Sequence, residues 1–284
     1  MKQAAPSEPD LATIADAFSR TAEHYDSFAD DHPHLTRMRE QVYAHVVRHV
    51  PAGASILELN AGTGTDAVAL ARRGYRVHAT DIAAGMLERV LPKAMALGVS
   101  DRVSVASCSF LELDSLSGAP YDAVFSDLGG LNCTNDLPRV ARGIDRVLRP
   151  GGVAVLVVMP PVCLWELALV LLGRPREATR RLRRGGTRAH LEGRWFTIHY
   201  FTPAAVRDAF GAHYRCEDMH GLSVITPTGE SKNLAKRHPR IYGALAWFDD
   251  RLAPHAPFNR WGDFFVIVLR RDGTDATQGP DVTP

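Results

Sequence analysis

The sequence predicts an α/β fold, a Rossmann-like doubly wound sheet in which most strands are parallel. Residues 55–81 contain an apolar run, a turn with two glycines, a segment of helical spacing and a second apolar run. Further apolar runs of strand length follow at 102–107, 121–126 and 153–159. Helical spacing is found at 10–31, 33–50, 66–73, 83–97 and 136–148. Strands that alternate with helices indicate a parallel sheet with helical crossovers.

The most informative stretch is the unit at residues 55–81. Its turn contains Gly62 and Gly64, which let the backbone turn tightly and approach a ligand without a Cβ in the way. Asp81 ends the second strand, 19 residues after Gly62, where a carboxylate can accept both hydroxyls of a ribose. This unit therefore predicts a site for a nucleoside-bearing cofactor.

Two classes of cofactor fit this unit. Gly62, Gly64 and Ala67 match the G-x-G-x-x-G/A pattern of nicotinamide and flavin sites, which on its own is a weak signal. Glu58, at the end of the first strand, favours a different cofactor. A pyrophosphate gains nothing from a carboxylate aimed at the turn, whereas a cationic methionyl group with a free amine does. The run from Glu58 to Gly64 resembles motif I of class I S-adenosylmethionine (SAM)-dependent methyltransferases.

Two further segments carry the same resemblance. The run 148–152 (LRPGG) before an apolar strand is a common methyltransferase signature. In the N-terminal helix of many small-molecule methyltransferases a Tyr before an Asp, here Tyr25, closes over SAM; a tyrosine that only packs this helix on the core is the alternative. The resemblance covers residues 55–159. It implies the class I methyltransferase fold with an antiparallel last strand, SAM as cofactor and S-adenosylhomocysteine as product.

The resemblance also implies which residues contact SAM. Asp81 accepts the ribose hydroxyls and Ile82 lies against the adenine. Ser109 stands where relatives usually have an Asp for the adenine amino group, and serine accepts that hydrogen bond more weakly. Phe110 stacks on the adenine or belongs to the core, and Asp127 binds the ammonium group or caps a turn. The full predicted set is Tyr25, Glu58, Asn60, Ala61, Gly62, Thr63, Gly64, Asp81, Ile82, Met86, Ser109, Phe110, Asp127 and Leu128.

The pattern divides the chain into a core, two insertions and two tails. The predicted parts are a disordered tail (1–9), N-terminal helices that cover the cofactor site (10–50), the SAM-binding core (51–159), a lid insertion (160–201), a core helix and strand (202–225), a second lid insertion (226–261), the last core strand (262–271) and a disordered tail (272–284). The insertions emerge where they can fold over the carboxyl ends of the parallel strands, so they are expected to determine the choice of acceptor.

The first insertion is rich in arginine, with eight between Arg174 and Arg194. Three interpretations compete: a solvated helix face on the lid, a site for an acidic or phosphorylated acceptor, and an interfacial helix at a membrane. The solvated face is the preferred one. Residues 195–200 alternate and predict an added strand with His199 and Tyr200 on opposite faces.

Methyl transfer from a sulfonium is an in-line displacement, so the protein mainly aligns the acceptor and excludes water. A hydroxyl or ammonium acceptor also needs a base. The candidate catalytic residues are His199, Tyr200 and His24. The candidate acceptor-binding residues are Asn132, Trp165 and Trp195.

Composition and charge argue against several classes of protein. With 284 residues and 45% hydrophobic content the chain can bury a sizeable core, and its net charge of +1 predicts no nucleic-acid partner. The N-terminus has no signal-peptide pattern, and the longest apolar run is too short to span a membrane. The four cysteines form no C-x-x-C, so neither a metal site nor a disulfide framework is expected. These features predict a cytoplasmic protein, and the excess of arginine, 29 of the 33 basic residues, indicates a GC-rich and therefore bacterial genome.

The sequence thus predicts a SAM-dependent methyltransferase that acts on a small, partly apolar molecule, by O- or N-methylation in secondary metabolism. A lipid or quinone-like acceptor at a membrane surface is the alternative within that class. A nicotinamide-dependent reductase and a non-catalytic SAM-binding protein are the alternatives outside it. The acceptor, the methylated atom and the oligomeric state, monomer or homodimer, stay open.

Overall fold

A computed structural model describes residues 8–29, 31–229 and 232–273. The first helix begins at Glu8 rather than Asp10, and Asp272 donates its backbone N–H to His213 O at 2.9 Å. Residues 8, 9 and 272 therefore do not belong to disordered tails. The remainder of the predicted tails, at 1–7 and 274–284, lies outside the described residues.

Among the described residues, seven strands form one sheet and two form a separate hairpin. The strands are β1 (Ser55–Leu59), β2 (Arg76–Asp81), β3 (Val103–Ser107), β4 (Tyr121–Ser126), β5 (Leu148–Val158), β6 (Thr187–Leu191), β7 (Arg194–Ile198), β8 (Tyr214–Leu222) and β9 (Phe264–Arg271). The sheet order is β3-β2-β1-β4-β5-β9-β8, and only β9 runs antiparallel to the other strands of this sheet. The predicted fold class, including the antiparallel last strand, is confirmed.

The described helices flank this sheet. They are α1 (Glu8–Ala29), α2 (Pro33–His49), α3 (Thr65–Arg72), α4 (Ala84–Leu87), α5 (Val90–Ala96), α6 (Leu137–Val147), α7 (Leu164–Leu167), α8 (Pro175–Ala178), α9 (Pro203–Phe210), α10 (Lys232–Arg237) and α11 (Pro239–Leu252). The single helix predicted over 83–97 is wrong, because it is broken into α4 and α5. Pro92 has no N–H to donate to the carbonyl of Glu88, four residues earlier, so a continuous helix is interrupted there.

Helices cover the sheet on both faces. Ile56 and Phe125 belong to one apolar cluster with residues of α2, α3 and α5. Their strand neighbours Leu57 and Val124 belong to the other cluster, with residues of α6 and α9. Successive strand residues point to opposite faces, so strands buried on both faces are apolar throughout, as in doubly wound folds.

The first insertion does not form the predicted solvated helix. Gly173, Pro175 and the pair Gly185–Gly186 interrupt it, leaving α7, α8, two short 3-10 turns and the β6–β7 hairpin. Arg181 in this segment is buried rather than solvated. The added strand predicted over 195–200 is present as β7, which pairs antiparallel with β6 but ends at Ile198, so His199 and Tyr200 lie beyond the strand rather than on its two faces.

The second insertion packs against α2 and β8. The Tyr242 hydroxyl of α11 is 2.7 Å from His34 Nδ1, and Arg37 Nη2 donates to Ala246 O at 3.2 Å. The predicted core strand over 214–225 ends at Leu222, and the chain after it turns toward these helices. Of this insertion, Thr228 and Gly229 reach a cavity at the carboxyl ends of the strands.

Candidate active site

A cavity of about 220 Å³ lies at the carboxyl ends of β1, β2 and β4, where ligands bind in open α/β sheets. Eleven of the fourteen predicted cofactor residues line it: Tyr25, Asn60, Ala61, Gly62, Thr63, Asp81, Ile82, Met86, Phe110, Asp127 and Leu128. The other three, Glu58, Gly64 and Ser109, do not. We call this space the first cavity.

The turn after β1 is held to the end of β2 by Asp81. Gly62 N–H donates to Asp81 Oδ2 at 2.9 Å, and Ala83 N–H donates to Oδ1 at 2.8 Å. Gly62 has φ +55°, a left-handed conformation that favours glycine. Each carboxylate oxygen accepts more than one hydrogen bond, so Asp81 keeps acceptor capacity toward the first cavity.

Asn60 joins the turn after β1 to the turn after β4. Its Nδ2 donates to Asp127 O at 3.1 Å, and the Ser126 hydroxyl donates to its Oδ1 at 2.6 Å. Its φ of +49° is in the left-handed region, which Asn tolerates better than most residues. A Cβ on Gly130 would lie 2.2 Å from Asn60 Cγ, so this close approach requires glycine.

Glu58 lies beneath the first cavity rather than on its wall. Its side chain is buried, and its Oε2 has no hydrogen-bond partner among the described residues. Burial, together with the nearby carboxylates of Asp66 and Asp127, raises the pKa of Glu58 well above its usual range. The expectation that Glu58 points directly at the cofactor is therefore not supported by its position.

Asp127 does line the first cavity. Its Oδ1 accepts the backbone N–H of Leu128 at 2.7 Å, while its buried Oδ2 has no hydrogen-bond partner within the described ranges. Burial and the proximity of Asp66 raise the pKa of Asp127 to about 8. A cation bound at this carboxylate would satisfy the unpaired oxygen and favour its ionised form.

Arg39 of α2 also lines this cavity and is not among the residues predicted from the sequence. Arg39 Nε lies 3.1 Å from Asp66 Oδ1, and Tyr43 donates a hydrogen bond to the same carboxylate. The surrounding carboxylates raise the pKa of Arg39 although burial opposes this shift, so it stays charged. The missed signal is its spacing: Arg39 shares one helix face with Tyr43 and Val46, which are buried.

Two of the predicted cofactor residues serve the fold instead. Ser109 Oγ accepts the backbone N–H of Leu111 at 3.1 Å, so its hydroxyl caps a local turn. A Cβ on Gly64 would lie 2.7 Å from Val90 Cγ1, so Gly64 permits the contact between the start of α3 and α5. Neither prediction of a cofactor contact is supported by these positions.

Helix α1 and the β6–β7 hairpin meet over the first cavity. Phe18 and Phe196 line it, and their ring centroids are 5.9 Å apart. Arg194 Nε donates to Asp16 Oδ2 at 2.6 Å on the outside of this contact. Another hydrogen bond joins α1 to the turn at 60–65: the Thr63 hydroxyl donates to Asp26 Oδ1 at 2.6 Å. These contacts shield the cavity from water.

A second cavity of about 360 Å³ adjoins the first. Both are lined by Tyr25, Arg39, Leu128, Met159 and Ile198. The second cavity has apolar walls from Phe28, Leu35, Met38 and Phe264, and polar groups from Glu166, Arg180, Arg181, Thr187, Arg188, Tyr200, Thr228 and Asp263. It is therefore amphipathic.

An ion-pair network forms the polar part of the second cavity. Arg181 Nη2 donates to Glu166 Oε1 and to Asp263 Oδ1, both at 2.6 Å, and all three side chains are at least 92% buried. Arg180 Nη2 adds a hydrogen bond to Glu166 Oε1 at 2.7 Å. These arginines hold the pKa of Glu166 below its usual range although burial opposes this shift. The network connects two parts of the first insertion to Asp263, the residue before β9.

The three predicted acceptor-binding residues line neither cavity. Asn132 is buried and joins the hairpin to β5, since its Nδ2 donates to Met159 O at 3.1 Å and to His199 O at 2.5 Å. Trp165 lies in α7 beside Glu166, which does reach the second cavity. Trp195 is half exposed under Arg188, because the alternation of β7 turns Phe196 and Ile198 inward instead.

Of the three catalytic candidates, only Tyr200 lines a cavity. Its ring centroid is 5.4 Å from the Arg181 guanidinium carbon. His199 is hydrogen-bonded to Asn132 through its backbone and is not on either cavity wall. His24 is exposed on α1, away from both cavities.

Comparison with known proteins decides the family. The chain is 32% identical over 233 residues to the tRNA 5-carboxymethoxyuridine methyltransferase of Escherichia coli K12, which covers 78% of this chain and 81% of that protein. Residues 56–152 match the family described as Methyltransferase domain. The chain belongs to the class I SAM-dependent methyltransferases. The nicotinamide-dependent reductase hypothesis is thereby excluded.

This methyltransferase is also similar to a second curated relative in sequence and to a solved structure in fold. It is 33% identical over 165 residues to a malonyl-acyl-carrier-protein O-methyltransferase of Halorhodospira halophila. It spans only 26–52% of the length of that protein and three other curated relatives. Its fold matches the 1,6-didemethyltoxoflavin-N1-methyltransferase of Burkholderia thailandensis, solved with bound S-adenosylhomocysteine, with a TM-score of 0.57, 17% identity, and 96% and 93% of the two chains covered.

SAM is the cofactor of this family, and the first cavity fits it. Asp81 offers acceptor capacity for ribose, Asp127 an unpaired carboxylate oxygen for a cation, and Arg39 a cation for a carboxylate. In the described part of the chain, no helix is both long and apolar enough to cross a membrane.

Proposed function

We propose that this methyltransferase transfers the methyl group of SAM to a small, partly apolar acceptor bound in the second cavity. The observation that supports this most is the common wall of the two cavities, formed by Tyr25, Leu128, Met159 and neighbouring residues. An acceptor in the second cavity thus lies next to the methionyl end of a cofactor in the first. A protein that only binds SAM has no need of this second space.

We assign each part of the cofactor to a group that lines the first cavity. Asp81 accepts the ribose hydroxyls, and Ile82 and Phe110 pack against the adenine. The amino-acid end of SAM carries one charge of each sign, so its ammonium pairs with Asp127 and its carboxylate with Arg39. Binding there relieves Asp127 Oδ2, which is buried without a partner among the described residues.

The chemistry requires alignment rather than acid catalysis. SAM supplies an electrophilic methyl group on a sulfonium. The apolar side chains of Phe28, Met38 and Phe264 hold the acceptor and exclude water, which brings the two reactants together in one orientation. When the acceptor must lose a proton, we assign its removal to Tyr200, which lines the second cavity.

The charge of the second cavity favours an acceptor with an anionic group. Arg180, Arg181 and Arg188 line it against two carboxylates, Glu166 and Asp263. Arg181 is engaged by both carboxylates, so we assign the anion to Arg188, which lines the second cavity and whose guanidinium carbon is 4.9 Å from the Trp195 ring centroid. The names of two relatives, malonyl-acyl-carrier-protein and tRNA 5-carboxymethoxyuridine methyltransferase, also include a carboxyl group. A carboxylate acceptor is already ionised at neutral pH and needs no base.

A lipid or quinone-like acceptor at a membrane surface is the second candidate. It is favoured by one observation, the exposure of Leu171 and Leu172, at 87% and 70%, beside a run of arginines. Apolar side chains next to a basic surface fit an interfacial contact. Sedimentation with anionic vesicles, compared with a Leu171→Ser/Leu172→Ser variant, tests it; equal recovery of both proteins in the supernatant excludes this candidate.

The test of the main proposal has two stages. Calorimetric titration should show micromolar binding of SAM and S-adenosylhomocysteine and none of NADH. Mass spectrometry then follows methyl transfer to pairs of small aromatic acids and their neutral amides. Arg188→Gln should raise the KM of the acids only, whereas Arg184→Gln, at an exposed position outside both cavities, should not. Tight SAM binding without transfer to any acceptor would support the non-catalytic alternative.

A further inference from the structure

A second group of polar side chains lies where α2 crosses β8. His45 and His49 are one helical turn apart on α2 and face the same carboxylate of β8. His45 Nδ1 is 3.0 Å, and His49 Nε2 is 3.1 Å, from Asp218 Oδ2. These three ligand atoms all lie within 4.8 Å of one another.

A β-bulge in β8 orients the carboxylates of this group toward α2. The pairing of β8 with β9 shifts register between Cys216 and Asp218. Successive strand residues normally point to opposite faces, but a bulge adds a residue and re-aims the side chains next to it. Glu217 and Asp218, although adjacent, therefore both reach His49 of α2.

Glu217 contacts His49 on the side of the ring away from Asp218 and can fix the orientation of that ring. Its Oε2 lies 3.4 Å from His49 Nδ1, the ring nitrogen opposite to the one that faces Asp218. Arg270 Nε and Arg215 Nη2 hold Glu217 Oε1 at 2.6 and 3.0 Å. A histidine that binds a metal almost always directs its other nitrogen to a carboxylate, a carbonyl or water, which fixes its tautomer.

We propose that His45, His49 and Asp218 form a binding site for a divalent transition metal of the zinc type. Two imidazole nitrogens and one carboxylate oxygen are preferred zinc ligands, and in a tetrahedral site they lie about 3.3 Å apart at bond lengths near 2.0 Å. The Asp218 oxygen is already within about 0.3 Å of that separation from each histidine. The side chains are 8%, 14% and 22% exposed, so water can reach a fourth position.

The surroundings agree with an ion at this place. The nearest cation, Arg48, is 3.5 Å from Asp218 Oδ2, but its side chain is 68% exposed and free to rotate away. The ring of His220 packs 5.1 Å from that of His45 and limits its rotation. The other cluster of potential ligands in the described residues, Cys163, Glu166 and Asp263, differs because the Arg181 guanidinium already binds both carboxylates.

A metal ion here would join the C-terminal end of α2 to β8. Met38 and Arg39 of the same helix line the cavities, and Tyr43 is hydrogen-bonded to Asp66. The metal ion would therefore fix the position of the helix that carries Arg39, the arginine assigned to the cofactor's carboxylate. The site itself is independent of the methyl-transfer proposal. Each can therefore fail without the other.

The test is metal uptake by the full chain freed of any affinity tag. The chain is stripped with a chelator and titrated with Co²⁺, followed by visible absorption, and with Zn²⁺, followed by calorimetry and by the shift in thermal midpoint. We expect one equivalent of either ion, a tetrahedral-type Co²⁺ spectrum and a higher midpoint with Zn²⁺. His49→Gln and Asp218→Asn should abolish these effects. Glu217→Gln should weaken Zn²⁺ binding by about 10- to 100-fold.

The matched control is His213→Gln, an exposed histidine outside the group whose nearest carboxylate is Asp145, at 3.3 Å. It should bind Zn²⁺ as the wild-type protein does. Circular dichroism without metal checks that each variant is folded. The proposal is overturned if the wild-type chain takes up no metal. It is equally overturned if His49→Gln and Asp218→Asn retain the ion, or if His213→Gln loses it to the same extent.

Discussion

The two cavities share a wall but differ in charge and in the origin of their residues. The first is lined by carboxylates, among them Asp66, Asp81 and Asp127, with one arginine, Arg39. The second contains three further arginines and has apolar walls. The core turns after β1, β2 and β4 form much of the first, which α1 and the β6–β7 hairpin cover, whereas the insertions and the N-terminal helices form much of the second. A constant cofactor and a variable acceptor thus draw on different parts of the chain.

The largest effect should come from removing the cation that holds the second cavity together. Arg181→Ala leaves the buried carboxylates of Glu166 and Asp263 without their shared partner. Breaking a buried ion pair by deleting one member costs about 3–5 kcal/mol, so the free energy of unfolding should fall by that amount. Urea denaturation measures it. Arg184→Ala, in the same segment but exposed, should change it by less than about 0.5 kcal/mol. Equal stability of the two variants would show that the network does not stabilise the fold.

The next effect concerns the first cavity. Asp81→Ala should weaken SAM binding by about 1.5–3 kcal/mol, since hydrogen bonds to a charged acceptor are lost. This corresponds to a Kd raised roughly 10- to 150-fold in calorimetry. Asp101→Ala, whose side chain is 75% exposed, is the matched control and should bind SAM normally. Unchanged affinity in Asp81→Ala would remove Asp81 from the cofactor site.

The carboxylates of the first cavity should also make SAM binding depend on pH. In the free protein Asp127 has a pKa of about 8, so it is largely protonated below that pH. The cofactor's ammonium favours the ionised form, so affinity should rise as the pH rises toward 8. Above that pH the cofactor's own α-amino group, whose ordinary pKa is about 8, loses its proton, so affinity should fall again. The slope approaches about tenfold per pH unit below the pKa. Asp127→Asn should bind more weakly and show a smaller slope; an unaltered slope in that variant would assign the dependence to another group.

The smallest effects separate the candidate catalytic residues. His24→Ala, at an exposed position of α1 outside both cavities, should leave kcat and KM unchanged and stability within about 0.5 kcal/mol. Tyr200→Phe, in the second cavity, should lower kcat for a hydroxyl acceptor more than for a carboxylate acceptor, which has no proton to lose. Steady-state assays of both variants, with a hydroxyl acceptor and with a carboxylate acceptor, measure these kcat and KM values. A large loss in His24→Ala would return that histidine to the reaction.

Sequence patterns identified much of the first cavity because its geometry is local. The turn at 60–65 needs positive φ angles, and Gly62 and Asn60 adopt them, so the residue types themselves reveal the turn. Asp81 follows within one strand–helix–strand unit, where its position depends on a short and regular connection. Arg39 was missed because no local motif marks it, although its place on the buried face of α2 is visible in the spacing.

The second cavity could not be derived in this way. Glu166, Arg181 and Asp263 come together from positions up to 97 apart in the chain, which sequence spacing does not predict. In β7, alternation alone allows either Trp195 or Phe196 to face inward, and packing against Phe18 of α1 selects Phe196. The sequence by itself determined the fold class, the cofactor and the turns that hold it, because backbone conformation in a short unit follows from residue type. Only the tertiary structure decided which side chains form the acceptor cavity, because that depends on how distant segments pack against one another.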